Sequence, residues 1–426
     1  RADAIKWITP ELDIKYAQSK SSMPVSPDPY GIWESAIAFP SYAPTGSMVI
    51  DDEELLFNTP RNLIKLSSPT TVQKNNLRVF GKVTISPVKN LKLIGEYTFN
   101  HSSREKTSFA KKFNYAHVGN FVKESSAPNS KYTYTNGITD YNALNFYGNY
   151  ANTWNKHEFT AMAGFNQESS DYRYAEMSRQ DMINEELPSI SQATGDYYAE
   201  DDFERYTVRG LFYRLTYAYD GRYLIETNGR YDGSSKFPKN SRFGFFPSVS
   251  AAWRISEESF MESLTSTLSN LKLRASWGNI GNQSIDAYAY IPGMDAQQAY
   301  WTIDGMKVTT LAPAALVSNS FTWEKVSTID VGLDLGLFKN RLNVVFDWYQ
   351  RDTKGMLAPG AELPAVLGAS APLQNTADLR SKGWELTVDW NDKIGEVSYN
   401  IGFNLYDSKT TITKYNNTTG LFGKDK

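Results

Sequence analysis

Ile329-Asp330-Val331-Gly332-Leu333-Asp334-Leu335-Gly336-Leu337 carries an aliphatic side chain at every odd position and Asp or Gly at every even one. Side chains of a β-strand alternate between its two faces, so this run predicts a strand with one greasy face and one polar or bare face. After Lys339-Asn340 the alternation resumes. Leu342, Val344, Phe346 and Trp348 share one side, and Asn343, Asp347 and Arg351 point the other way. A third segment sets Trp384, Leu386, Val388 and Trp390 against Glu385, Thr387 and Asp389. Its neighbour sets Val397, Tyr399, Ile401, Phe403 and Leu405 against Ser398, Asn400, Gly402 and Asn404.

The pattern extends upstream through 91–99, 249–255 and 271–277. Weaker strands are expected near 11–18, 77–86, 142–153, 158–167, 206–219 and 222–231, about thirteen in all. Soluble sandwiches alternate as well, so the connections must decide. Short links fall at Pro87-Val88-Lys89-Asn90, Trp154-Asn155-Lys156, Asp220-Gly221, Lys339-Asn340 and Asn391-Asp392-Lys393. Between them lie long polar segments at 19–76, 101–141, 168–205, 279–322 and 353–381, and a shorter one at 232–243. One rim of tight turns and one rim of long loops is the layout of an outer-membrane barrel. Several structureless loops of this length count against a compact soluble domain. One larger link, 256–270, begins Ser256-Glu257-Glu258, which reads as an N-cap followed by acids and predicts a small helix.

Composition agrees. Aromatic residues make up 14% of the 426, led by 27 Tyr, and barrels use such rings at both water–lipid boundaries. The mean hydropathy of −0.48 suits strands that show only alternate residues to lipid. A formal net charge of −3 gives no field for nucleic acid, and no apolar run is long enough for a spanning helix. Cys is 0, which removes thiolate metal sites and cysteine nucleophiles. The expected fold is all-β, a transmembrane antiparallel β-barrel with long extracellular loops. An odd strand count cannot close antiparallel, and hydrocarbon does not tolerate an open edge. Residues 1–426 are therefore expected to form part of one barrel domain, with closing strands supplied outside this stretch.

Several motifs, in order, carry a resemblance. They are Arg230-Tyr231-Asp232-Gly233-Ser234-Ser235-Lys236-Phe237, Arg242-Phe243-Gly244-Phe245-Phe246-Pro247 through Ile255, and Leu271-Lys272-Leu273-Arg274-Ala275-Ser276-Trp277-Gly278-Asn279-Ile280-Gly281-Asn282. Trp323-Glu324-Lys325, Asn340-Arg341-Leu342, Asp347-Trp348-Tyr349, Arg351-Asp352-Thr353 and Lys382-Gly383-Trp384-Glu385-Leu386 follow. Together they resemble the SusC/RagA family of TonB-linked outer-membrane transporters, with most of the match in 205–410. Ser381 departs from the Asn usual there. The resemblance implies a plugged barrel of about 22 strands, with plug and TonB box outside this sequence. It also implies a SusD-like surface lipoprotein as lid and energy from the TonB complex. The cargo would be a glycan fragment or a peptide, and the location the outer membrane of a Gram-negative bacterium. A passive porin or adhesion barrel, and a soluble all-β binding module, are the competing readings.

Catalysis is weakly supported and no cofactor is expected. His101, His117 and His157 have no metal-ligand spacing. Ser103-Arg104-Glu105-Lys106 has the serine–x–x–lysine form without its companion motifs. Glu200-Asp201-Asp202 reads as a solvated acidic loop before a calcium site, and Gly233-Ser234-Ser235 as a strand-end loop before a phosphate cradle. Trp253, Trp277, Trp348, Trp384 and Trp390 share the aliphatic face and are expected to meet lipid. Loop aromatics are the candidates for substrate contact: Tyr288, Tyr290, Tyr300 and Trp301 in one loop, Tyr197 and Tyr198 in another. Packing against neighbouring loops or the lid is the alternative for each.

Overall fold

A computed structural model describes residues 7–25, 31–264, 266–318, 321–360, 363–368 and 371–415. Thirteen long strands form one sheet: β1 Ile8–Pro24, β2 Pro69–Val88, β3 Leu91–Ala110, β4 Lys131–Trp154, β5 His157–Gln180, β6 Tyr197–Tyr219 and β7 Tyr223–Ser234. They continue as β8 Phe243–Arg254, β9 Leu268–Asn282, β10 Glu324–Leu337, β11 Leu342–Pro359, β12 Leu373–Ile394 and β13 Val397–Lys414. Spatial order equals chain order and every pair is antiparallel. Each strand thus pairs with the next one made. This is the arrangement that hairpin connections impose, and it leaves β1 and β13 at the two edges. Among the described residues the other sheets are three two-stranded hairpins, too small to form the second layer of a sandwich.

On one rim five links are two to four residues long and the sixth, 255–267, has thirteen; the other rim carries the links 25–68, 111–130, 181–196, 235–242, 283–323 and 360–372. The short links turn where residues can hold positive φ, as at Asn155 (φ 52°) and Gly395 (φ 61°). The last turn differs from the sequence expectation. Asn391-Asp392-Lys393 stays within β12, and the chain reverses just beyond it at Gly395-Glu396. Turn-favouring side chains mark where a turn is allowed, whereas the glycine supplies the backbone angle this hairpin uses.

The strands are also longer than their alternation suggested. β4 and β5 each run 24 residues, roughly 80 Å of chain at ~3.3 Å per residue. A strand crosses the hydrocarbon in about 10 residues. The excess rises beyond the bilayer, where both faces meet water and alternation no longer marks a strand. Much of 101–141 and 168–205 is therefore sheet, and the loops are shorter than expected. They also hold small ordered units, including hairpins Ser47–Ile50/Glu53–Leu56 and Asn114–Ala116/Lys123–Ser125. A short helix, Pro60–Leu66, is capped by Thr59, whose Oγ1 accepts from Asn62 N at 3.2 Å. The helix expected at 256–270 is two 3₁₀ turns, Ile255–Glu257 and Ser259–Leu264. Ser256 lies inside the first and caps nothing.

Candidate functional site: the two faces of the wall

Register sorts the side chains. Leu273, Leu333, Phe346, Leu386 and Phe403 lie on one face of successive strands. Trp253, Trp277, Trp348, Trp384 and Trp390 share that face. At the short-turn rim a row of rings crosses five strands. Trp154 stacks on His157 (5.7 Å), His157 meets Tyr219 (5.0 Å), and Tyr223 stacks between Tyr219 and Trp253 (6.4 Å each). Amphipathic rings at one level form the belt that barrels place at the membrane boundary.

Glu258 anchors this belt from the link between β8 and β9. It accepts from Tyr223 Oη (2.6 Å) and Trp253 Nε1 (2.9 Å) and pairs with Arg222 (3.3 Å). The hydrogen bond from Tyr223, then those from Trp253 and Arg222, hold its carboxyl below the usual carboxylate range. A carboxyl with a depressed native pKa stabilises fully above its unfolded value, near 4.3, and loses that contribution as pH falls through its own lower pKa. Thermal midpoints measured from pH 7 down to 3 are expected to fall at the acid end for the natural sequence. Glu258→Gln is expected to start lower at pH 7 and to show a smaller acid loss. Parallel curves for the two proteins would contradict this.

The opposite face is charged. Arg274 of β9 donates Nε–H to Asp334 Oδ1 (2.9 Å) and lies 3.0 Å from Asp347. Lys272 joins Asp334 at 3.7 Å. Gly332 makes this possible: a Cβ there would meet Asp347 Oδ1 at 2.2 Å and the Arg274 guanidinium carbon at 2.6 Å. Of the two glycines in the 329–337 repeat, Gly332 thus serves the ion network, while Gly336 leaves room for Asn340 and Asn270. All three charged groups of the Arg274 cluster are a fifth to a third exposed. Arg274→Ala is expected to cost about 2 kcal/mol, between an exposed and a buried pair, seen as an earlier midpoint in denaturant unfolding. An unchanged midpoint would remove the network from the account. A cavity of about 490 Å³ opens beside it, lined among others by Glu226, Lys272, Arg274 and Asp330.

Beyond the lipid band, a hydrophobic core fastens the loops to the wall. Phe237, Phe246, Ile285, Phe321 and Trp323 are buried together, with Ala289, Tyr290 and Leu357 against them. Gly244 and Gly281 leave room for the Phe246 ring, which a Cβ at either would meet at 2.5 Å or less. Trp323 Nε1 donates to Arg242 O (2.7 Å), and Lys236 Nζ to Ile285 O (2.8 Å). This accounts for the Arg230–Phe237 motif. Arg230 pairs with Asp232 (2.8 Å), Ser234 is buried, and Lys236 and Phe237 pin the loop 283–290. Gly233-Ser234 end β7, paired with β6, and Ser235 opens the turn that follows, its N donating to Thr207 O.

The candidate aromatics do not converge. Tyr290 packs on the buried core and accepts from Arg242 (3.4 Å). Tyr288 contacts Phe203 (6.1 Å). Tyr300, 98% exposed, and Trp301 sit on a separate hairpin, Ala296–Ile303/Met306–Leu311. Tyr197 and Tyr198 lie in β6, not in a loop, and consecutive strand residues face opposite ways. Tyr198 shares the charged face, its Oη donating to Glu200, while Tyr197 points outward. The same alternation separates Ser103 from Lys106 and divides Glu200 and Asp202 from Asp201. The histidines are apart as well: His101 bonds Asp140, His157 bonds Tyr217 (2.7 Å each), and His117 caps a turn at Gly119.

A family model described as "TonB dependent receptor-like, beta-barrel" matches residues 47–424. The chain belongs to that family. It is an outer-membrane β-barrel of a transporter family, not an enzyme, which sets aside the soluble-module reading. TonB-dependent receptor P26 of Formosa agariphila is 29% identical over 336 residues, covering 73% of this chain and 33% of that receptor. TonB-dependent receptor SusC of Bacteroides thetaiotaomicron is 31% identical over 297 residues, 66% of this chain and 29% of SusC. Among solved structures, the RagAB peptide importer in its "open-open" state superimposes with TM-score 0.80 at 21% identity. That match covers 98% of this chain and 45% of the other, a likeness of fold. This TonB-dependent receptor-like chain thus spans about a third or less of the length of the curated relatives it matches.

Proposed function

We propose that this receptor-like chain is a wall of an importer that carries an oligomeric nutrient, a glycan fragment or a peptide, across the outer membrane. The observation that carries the reading is a polar face with clusters of charge along strands that outrun the bilayer, within a TonB-dependent receptor-like barrel. A polar lumen suits a hydrated cargo, and ordered walls above the membrane offer it contact before entry. TonB supplies the energy in this reading. A SusD-like lipoprotein covers the mouth, in keeping with likeness to the RagAB peptide transporter and to SusC. Residues 1–426 act as part of one barrel domain together with a plug and further strands of the full-length protein. Tyr198 is the best placed of the aromatic candidates for cargo contact, because it alone among the β6 pair faces the polar side.

Growth of a gene-deletion strain on defined oligosaccharides and peptides tests this. Loss on at least one cargo class, restored by the gene and abolished again when TonB is disrupted, is the expected result. Unchanged growth on all of them contradicts import, and growth that survives loss of TonB points to a passive porin.

A further inference from the structure

Ser102, Arg104 and Lys106 of β3 lie on the same face as the charged wall, opposite Thr139, Gly137 and Thr135 of β4. These in turn lie opposite Tyr172, Tyr174 and Glu176 of β5. The nine residues line one cavity of about 440 Å³, within the size range of small-molecule sites. Gly137 is why it is open, since the row Arg104–Gly137–Tyr174 has no side chain at its centre. Tyr172 lies over the gap, its ring edge 3.7 Å from where a Gly137 Cβ would stand.

The charges are unbalanced. Among the described residues Arg104 and Lys106 have no ion-pair partner, and Lys74 of β2 stands directly across from Arg104 on the same face. Like charges opposed across a strand pair destabilise a sheet, and a bound anion reverses that sign. Glu176 forms no ion pair with them, its Oε2 accepting instead from Tyr174 Oη (2.9 Å) and Thr135 Oγ1 (3.2 Å), and its single negative charge stands against three positive ones, Lys74, Arg104 and Lys106. One strand further, Asp202 and Glu204 make the wall acidic, so an anion is directed to the β2–β3 side. No aliphatic side chain lines the cavity. It offers flat rings and hydroxyls, which suit a sugar better than a peptide's apolar side chains.

We propose that this cavity is a subsite for an anionic oligosaccharide. Arg104 and Lys106 hold its carboxylate or sulfate, and Tyr172 and Tyr174 carry the sugar ring. The proposal rests on the import reading for its purpose, but binding and transport separate in the test. The full-length protein with its native partner is titrated by calorimetry with three hexamers and a peptide. The sugars are hexagalacturonate, its neutral methyl ester, and a sulfated galactose hexamer; the peptide is hexaglutamate. A charged hexamer is expected to bind at least about tenfold more tightly than the neutral one. Arg104→Gln with Lys106→Gln should erase that preference, and Tyr172→Ala should weaken the sugars without affecting hexaglutamate. Heat-modifiable gel mobility confirms that each variant is folded. Equal binding of charged and neutral sugars, no binding of either charged hexamer, or hexaglutamate binding as well as the sugars would overturn the subsite. Charge-selective binding without any growth phenotype would sink transport and leave the subsite standing.

Discussion

Leu333→Arg is expected to destabilise the folded barrel by about 2–4 kcal/mol, the cost of a lipid-facing Arg near the bilayer midplane. Leu333 lies between Leu273 and Phe346 on neighbouring strands, mid-way along the greasy face of β10. Thr387→Arg, on the polar face of β12, is the control and is expected to cost about 0.5 kcal/mol or less. Unfolding by denaturant in lipid vesicles measures both. Similar losses for the two substitutions would mean that the faces have been assigned to the wrong solvents.

Phe237→Ala is expected to be as damaging in energy and different in kind. Phe237 is fully buried, with Trp323 at 5.0 Å and Phe321 at 6.1 Å between ring centroids. Truncating a buried Phe costs about 3–5 kcal/mol. The core it supports belongs to the loops, so the loss falls on the mouth and not on the strands. Hydrogen exchange should show protection vanishing at 283–290 and 321–323 while amides of β9 to β12 keep theirs. Uniform loss across the sheet would show that loop core and barrel fold as one unit.

The sequence disclosed the strands wherever each met two different solvents. Ile329–Leu337 is legible because lipid on one side and an ion network on the other demand opposite residue types. Lys131–Tyr141 is illegible for the converse reason. Tyr, Thr, Asn and Asp suit both of its faces, so pairing continues where the periodic signal stops. That gap hid the wall pocket. Arg104, Lys106, Tyr172 and Tyr174 come together only through register, which composition does not encode. It also misplaced Tyr197 and Tyr198, neighbours in sequence that the pleat turns apart. The motif glycines carried information that only packing reveals. Gly332 makes room for the Arg274–Asp347 pair, and Gly244 and Gly281 for Phe246. Tyr290 could not be assigned from sequence, since a ring in a loop reads alike whether it meets cargo or a buried core.

The assignment of faces to solvents underlies everything else, and the absence of Cys from this sequence makes it directly measurable. Single cysteines at Leu386, Thr387, Val388 and Asp389 of β12, spin-labelled in lipid bilayers, report collision with oxygen in the hydrocarbon or with a water-soluble nickel complex. Labels at Leu386 and Val388, on the face of Phe346, should favour oxygen, and labels at Thr387 and Asp389 the nickel complex. Accessibility that does not alternate, or that alternates with the opposite phase, would contradict a wall with lipid on one side and a water-filled lumen on the other.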